Sequence, residues 1–532
     1  MGTLSIVLQA NKNSPYSISD FSKTLKSLEM QYDKDFQAVI YGDWQEAMNL
    51  AKEQGFIAVE ADFSNRAAAL NAALEKAGNE YILVCNNETD SIELVRSAVA
   101  FYKMVMDRHP SCNLLYADYD LIDGPERRER KLLEFHPGRI LETWDMGFCL
   151  LFRRSFLRGI GFCDEQYRYK PVYDLRLKAF ETKQVVHVSN RFNGTPYYVY
   201  APQQEHDVFA YLKAGKEIAK ELERICTEHL KRINAYLAPG QNYKAVTYTE
   251  AEEESFKDCL VTVVIPVFNR PEFIGNAIES VQAQTVKNIE IVVVCNGGED
   301  DPTVGAVKEY MHGGSKFHPE KPTVRLIVHD MNNLGLCFNS ALQSSKAKYY
   351  MQLDSDDLLF ENAIEKVLEV YDQDDRIGMV IGSYQVFEKQ DNGDIAPILL
   401  DGNPFVVTHE EWTEENGRNN LLRVGGAGAP RSIKIKVLEN MGWFGMNDSP
   451  YCRNYGEDYE LVNKVAEHHR IGRVWEPIYK VVRHSGGTDH SIDQVTIDVN
   501  ENAKDIMRLY AIRRRQIINR GASGEKIDKN PF

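Results

Sequence analysis

Cys337-Phe-Asn-Ser-Ala-Leu342, a stretch of helical pattern, leads into Tyr350-Met-Gln-Leu-Asp-Ser-Asp-Asp357, an apolar strand that ends in three carboxylates. A helix feeding a buried strand is the building unit of α/β sheets, and ligands gather at the carboxyl ends of such strands. Asp354 and Asp356, one residue apart at a strand end, have the spacing and oxygen chemistry to hold a hard divalent cation, which in turn bridges two phosphate groups. The alternative is a helix N-cap, since an Asp before Leu358-Leu-Phe-Glu361 would satisfy free backbone N–H groups.

Upstream, Val261-Thr-Val-Val-Ile-Pro266 reads as a strand, followed by a helix-like stretch to Gln284 and a second strand, Ile289-Glu-Ile-Val-Val-Val-Cys-Asn-Gly297. The first half repeats this layout. Ser5-Ile-Val-Leu-Gln9, a helix-like stretch to Gln31 and Phe36-Gln-Ala-Val-Ile-Tyr-Gly42 come first. Asn65 to Leu74 then precedes the strand Tyr81-Ile-Leu-Val-Cys-Asn-Asn-Glu88. Arg154 through Gly161-Phe162 parallels Arg431 through Gly442-Trp-Phe444, and Tyr173-Asp-Leu175 parallels Glu457-Asp-Tyr459. A repeat of this length predicts two related α/β domains in tandem. The expected boundaries are 1–204 for the first domain, 205–250 for a helical connector with an acidic linker, 251–495 for the second domain and 496–532 for a C-terminal helix and tail.

A chain of 532 residues exceeds a single ordinary core, and 43% hydrophobic with 26% charged residues is an ordinary soluble composition. A net charge of −16 argues against nucleic acid as a partner, since such binding neutralises phosphates with a basic surface. Nine cysteines, odd in number and without a Cys-x-x-Cys pair, do not form a disulfide or zinc framework. With no secretion signal read at Met1-Gly-Thr-Leu-Ser-Ile-Val-Leu8, a cytoplasmic setting is expected. Arg513-Arg514-Arg515 is read either as a solvated helix face or as a basic face for peripheral contact with the inner surface of a membrane or a charged acceptor.

Residues 260 to 490 resemble the family-2 glycosyltransferases of GT-A fold, through several motifs in order. Val263-Val-Ile-Pro-Val-Phe-Asn-Arg270 is similar to the family's first strand and loop, which line the nucleotide; Pro266 and Asn269 carry over. Cys295-Asn296-Gly297-Gly298 stands where the family usually has an acidic residue for the base or ribose, so the nucleotide stays open, with UDP-sugar the expected donor. Asn332-Asn333-Leu-Gly335 resembles the family's Asn-x-Gly segment or is a plain turn. The resemblance makes Asp354 and Ser355 donor-contacting residues and Asp354 and Asp356 ligands of Mn²⁺ or Mg²⁺. In Arg483-His-Ser-Gly-Gly-Thr488 it offers His484 as a third ligand and Gly486 and Gly487 as permissive lid residues.

Gly456-Glu-Asp-Tyr-Glu-Leu461 resembles the helix start that carries the family's catalytic base. Inverting transfer needs a carboxylate to take the acceptor's proton, which assigns Asp458 that role; Glu457 assists or favours the helix N-terminus. The fold class implied is two tandem GT-A domains, the first degenerate because Asn86-Asn87-Glu88 replaces the carboxylate motif, although Asp174 matches Asp458 in place. The function implied is metal-dependent, inverting transfer from a nucleotide sugar to a glycan, glycolipid or protein hydroxyl during surface polysaccharide, glycolipid or glycoprotein assembly. A bifunctional two-site polymerase and a non-catalytic carbohydrate-binding scaffold are the alternatives. Asp401 to Arg423 is open between acceptor loop and surface insertion.

Overall fold

The computed structural model describes residues 2–190, 194–201, 215–390, 393–426, 428–448, 455–484, 493–522 and 524–530. The chain forms two compact units, residues 1–234 with 530–532, and 235–529.

Unit 1 is built on a seven-stranded sheet of β1 (Leu4–Ala10), β2 (Phe36–Gly42), β3 (Ile57–Glu60), β4 (Tyr81–Cys85), β5 (Leu114–Ala117), β6 (Cys149–Arg153) and β7 (Val185–Val188). Their order is β7-β5-β6-β4-β1-β2-β3. β1 is parallel to both β2 and β4, while β6 runs antiparallel to β4 and β5. All seven β1 residues are buried, Ser5 and Gln9 included, as expected of a central strand covered on both faces.

Unit 2 contains β8 (Val261–Val267), β9 (Ile289–Cys295), β10 (Thr323–Val328), β11 (Tyr349–Gln352), β12 (Leu358–Leu359), β13 (Ile377–Lys389), β14 (Arg431–Lys434) and β15 (Arg470–Arg483). They follow the order β10-β9-β8-β11-β14-β13-β15-β12. Here too the central strand is parallel to its two neighbours, and the next strand out, β14, is antiparallel to β11. The α/β class is thus observed, and the two units share a strand order. They also share a local device. The helix after β6 and the helix after β14 each end in two successive left-handed residues, Gly161 (φ 78°) with Phe162 (63°) and Gly442 (85°) with Trp443 (66°). A glycine accepts the first of these conformations without the clash that a Cβ brings.

Three expectations change. The boundary between the two units falls inside the expected connector 205–250, of which residues 205–214 lie outside the described residues. Its helix Lys216–Arg232 belongs to unit 1 and residues from Ala235 onward to unit 2, where Val246 enters the core. The acidic run is not a free linker, because it forms the capped helix Glu250–Ser255 and binds Lys436 and Lys348 through Glu252 and Glu253, each at 2.9 Å. Nor is the C-terminal helix, Gln494–Asn519, an appendage: Arg508 and Arg515 on it are fully buried. Arg515 donates to the Arg418 carbonyl, Arg514 binds Glu467 at 2.8 Å and Arg513 donates to the Asp528 carbonyl, so each arginine of the basic run is engaged by its own chain. Within Asp401–Arg423, the helix Gly417–Asn420 is buried and Arg418 donates to the Ala466 and Glu467 carbonyls, closing the end of the helix Glu457–His468. That part of the segment is scaffold.

Candidate functional site

The carboxyl ends of β8, β9 and β11 bring together loops far apart in sequence. After β8, Asn269 takes a left-handed turn (φ 50°) and its N–H donates to Asp301 at 2.8 Å, while the Arg270 N–H donates to the Thr303 hydroxyl. Pro266 is buried within β8, opposite Val294. After β9, Asn296 is 3% exposed; its amide nitrogen donates to Asn332 at 3.1 Å, and its Oδ1 is buried without a partner. An orphaned buried carbonyl is costly and marks a place for an external donor. Asn333 caps the helix Leu334–Gln343: its carbonyl accepts from Leu336 N–H at 2.9 Å and its amide donates to the Met446 carbonyl, so its side chain is engaged on both sides.

Asp354, just past β11, receives the Gln352 amide at 3.0 Å, and its own N–H donates to the Tyr479 hydroxyl. Burial raises its pKa above the ordinary value, and the charges of Asp356 and Asp458 add to this. Ser355 is buried. Asp356 meets His484 at 3.0 Å and also pairs with Arg270, and the His484 ring packs 4.4 Å from that of Phe273. Asp357 is pushed well up by burial and by Asp354, and accepts the Val482 N–H at 2.8 Å, tying the strand-end turn to β15.

Asp458 lies in the first turn of the helix Glu457–His468, after Gly456 in a left-handed conformation. It binds Arg431 at 2.8 Å; Arg431 donates to Gln352 at 2.8 Å, and Gln352 donates to Asp354. A continuous polar chain therefore joins Asp458 to Asp354 through the first residue of β14 and the last of β11. Glu457 is pushed up to about 7, chiefly by burial and then by the charge of Asp458. The C-terminal helix supports this corner, since Arg508 donates to the Tyr459 hydroxyl and Lys504 donates to the Gly425 carbonyl at 2.6 Å and to the Tyr455 hydroxyl at 2.8 Å.

Asp354, Asp356, His484 and Asp458 thus fall at one end of one sheet. Gly486 and Gly487 lie outside the described residues. Among the described residues no three His, Cys, Asp or Glu side chains converge as a metal-ligand set. The donor chemistry suits a hard cation even so: Asp354 and Asp356 are oxygen donors, and a positive charge relieves the burial and the neighbouring negative charges that raise Asp354. Sequence reading missed Arg431, Gln352 and the Arg270 pairing. Gln352, two residues before Asp354 and on the same strand face, was legible by the period-two rule; Arg431, 79 residues further on, was not.

Residues 262–424 match the profile of Glycosyl transferase family 2. The hyaluronan synthase of Pasteurella multocida is 31% identical over 256 residues, covering 48% of this chain and 24% of that protein. The chondroitin synthase of P. multocida (strain Pm70) is 25% identical over 231 residues, covering 43% and 21%. An uncharacterized glycosyltransferase of Rickettsia bellii is 29% identical over 131 residues, covering 24% and 18%. The match spans only about a fifth of the length of these curated relatives. Among solved structures, S. aureus TarS 1-349 in complex with UDP aligns at a TM-score of 0.32 with 15% identity, covering 50% of this chain and 67% of that one. The mannosyltransferase PcManGT from Pyrobaculum calidifontis in complex with GDP-Man and Mn²⁺ aligns at 0.33 with 14% identity, covering 60% and 88%.

Proposed function

From residues 262–424, which form a family-2 glycosyl transferase domain, we infer that this chain transfers a sugar from a nucleotide-sugar donor to a hydroxyl acceptor, with inversion, in the assembly of a polysaccharide. The observation that carries the reading is the polar chain Asp458–Arg431–Gln352–Asp354, which links the proposed base to the donor-side carboxylates. The curated relatives named as chondroitin and hyaluronan synthases support the polysaccharide setting.

In this reading the loops after β8 and β9 receive the nucleotide: Asn269 and the turn beyond Pro266 form one wall, and the free Oδ1 of Asn296 accepts from the base. The base is expected to be uracil, with UDP-sugar as donor. Asn333 shapes the wall by holding the Met446 loop. Asp354 and Asp356, with His484, would hold Mn²⁺ or Mg²⁺, which when bound neutralises the charge developing on the departing diphosphate. Arg270 presents a guanidinium on the same side through its pair with Asp356. Asp458 takes the proton of the acceptor hydroxyl as its oxygen attacks the anomeric carbon, and Arg431 fixes the carboxylate at 2.8 Å so that it faces one way. Glu457, held up to about 7 beside it, shares the proton inventory of the site. A single displacement from an α-linked donor gives a β-linked product.

Calorimetric titration with UDP and Mn²⁺ tests the assignment. Asp356→Asn is expected to weaken metal-dependent UDP binding by about tenfold or more, whereas Asp458→Asn keeps it. Equal affinity in wild type and Asp356→Asn would sink the metal assignment.

A further inference from the structure

Unit 1 carries an open, solvent-facing cavity of about 380 Å³ at the carboxyl ends of β1 to β4, lined among others by Lys12, Asp43, Asp62, Phe63, Arg66 and Glu88. This is the size of a small-molecule pocket. The chain shapes it by close backbone approach. A Cβ on Gly42 would lie 2.0 Å from the Ala10 carbonyl oxygen, so only glycine lets the ends of β1 and β2 meet there, and the Asp43 and Trp44 N–H groups both donate to that oxygen at 3.1 Å. Asp43 is then fixed beside Lys12, accepting its N–H and pairing with its ammonium, both at 3.1 Å. Arg66 pairs with Glu88 across the opening. Phe63, packed 5.8 Å from the Tyr41 ring, supplies an aromatic wall.

The lining holds three carboxylates against two cations: Lys12 pairs with Asp43, Arg66 with Glu88, and Asp62 accepts the Ser64 N–H and hydroxyl, each carboxylate keeping further acceptor positions. A diphosphate entering here meets uncompensated negative charge. The stretch that corresponds to the carboxylate motif of unit 2 offers a cation little. Asn87 spends its side chain on Gln9 and Tyr16, leaving Glu88, already bound by Arg66, as the one carboxylate of Asn86-Asn87-Glu88. Carboxylate and amide acceptors around an aromatic face suit a neutral ligand that carries many hydroxyl donors and an apolar ring face. Transfer is not the task of this pocket. Asp174, the counterpart of Asp458, is 1% exposed and locked to Lys178 at 2.7 Å, on the helix Pro171–Glu181, and the three residues leading into that helix, Arg168 to Lys170, donate their N–H groups to Glu221 of the helix Lys216–Arg232.

We propose that this cavity of unit 1 is a binding site for a neutral saccharide unit, held by Asp43, Asp62 and Glu88 through its hydroxyls and stacked on Phe63. The site stands apart from the transferase reading of unit 2. The test is calorimetric titration of the full chain with two neutral disaccharides, chitobiose and maltose, in wild type, Asp43→Asn and Phe63→Ala, with thermal unfolding to confirm that both variants fold. Saturable binding of at least one disaccharide is expected, weakened about tenfold or more by either substitution. Nucleotide release by unit 2 stays unchanged in both variants. Absence of saturable binding to either disaccharide, or equal binding in both folded variants, overturns the proposal. Displacement of the disaccharide by UDP and Mn²⁺ in the Asp354→Asn protein also overturns it, since the cavity would then be a nucleotide pocket.

Discussion

At the residue scale, the site depends on how Asp458 is held. A carboxylate that abstracts a proton contributes about 10² to 10⁴ in rate, so Asp458→Asn should lower kcat by that order while donor affinity persists; steady-state kinetics at saturating donor checks this. Arg431→Gln removes the guanidinium that orients Asp458 and contacts Gln352, and should lower kcat with little change in the KM for donor. Glu457 adds a pH signature. Its value of about 7 leaves it neutral below that pH and ionised above, where it adds a negative charge beside the carboxylate that takes the acceptor's proton. The rate should therefore rise through pH 7 and lose that rise in Glu457→Gln; a rate profile unchanged by the substitution would count against the pairing. At this scale the sequence was only partly legible. The aspartates stood out because they close a strand, whereas Arg431 reads as any strand-opening residue until β14 is laid antiparallel to β11.

At the scale of elements, alternation of helices with Val- and Ile-rich runs was enough to foresee the central strands, since a parallel strand buried on both faces is a continuous apolar run. The roles of Lys216–Arg232 and Gln494–Asn519 were not legible, because an amphipathic pattern shows that a face is covered without showing what covers it. Gly442→Ala, at φ 85°, should cost about 1 kcal/mol, read as a lower unfolding midpoint in denaturant. In unit 1, β7 is clamped through His187, whose ring nitrogens meet Asp118 at 2.8 Å and Glu134 at 2.9 Å. Burial alone would lower its value, yet the two carboxylates hold it above the ordinary 6.5. The charged clamp therefore stabilises fully below pH 6.5 and is lost as pH rises through the raised value. The stability gap between wild type and His187→Gln should narrow on going from pH 6 to pH 9 in urea melts.

For the whole molecule, the shared strand order and the paired left-handed turns at Gly161-Phe162 and Gly442-Trp443 give physical form to the repeat seen in the sequence. Carboxylates are distributed unevenly over that repeat: unit 2 has Asp354 and Asp356 and an Asp458 whose side chain is 25% exposed, while unit 1 has Asn86 and Asn87 and a buried Asp174. No helix among the described residues is long and apolar enough to cross a membrane, and the eight described cysteines are unbridged. Deleting 494–532 removes the buried Arg508 and Arg515 anchors and should unfold unit 2, seen as loss of its share of cooperative melting.

In the proposed function, unit 2 binds a nucleotide sugar through Asp354 and Asp356 and transfers the sugar with Asp458 as base. Nucleotide release from a panel of UDP-, GDP-, dTDP- and CMP-sugars, measured with Mn²⁺, with EDTA and with Asp458→Asn, tests it most directly. Slow hydrolysis of one donor that disappears with EDTA and falls in Asp458→Asn is the result expected; release that is indifferent to both, or no release from any donor even with glycan acceptors present, contradicts it.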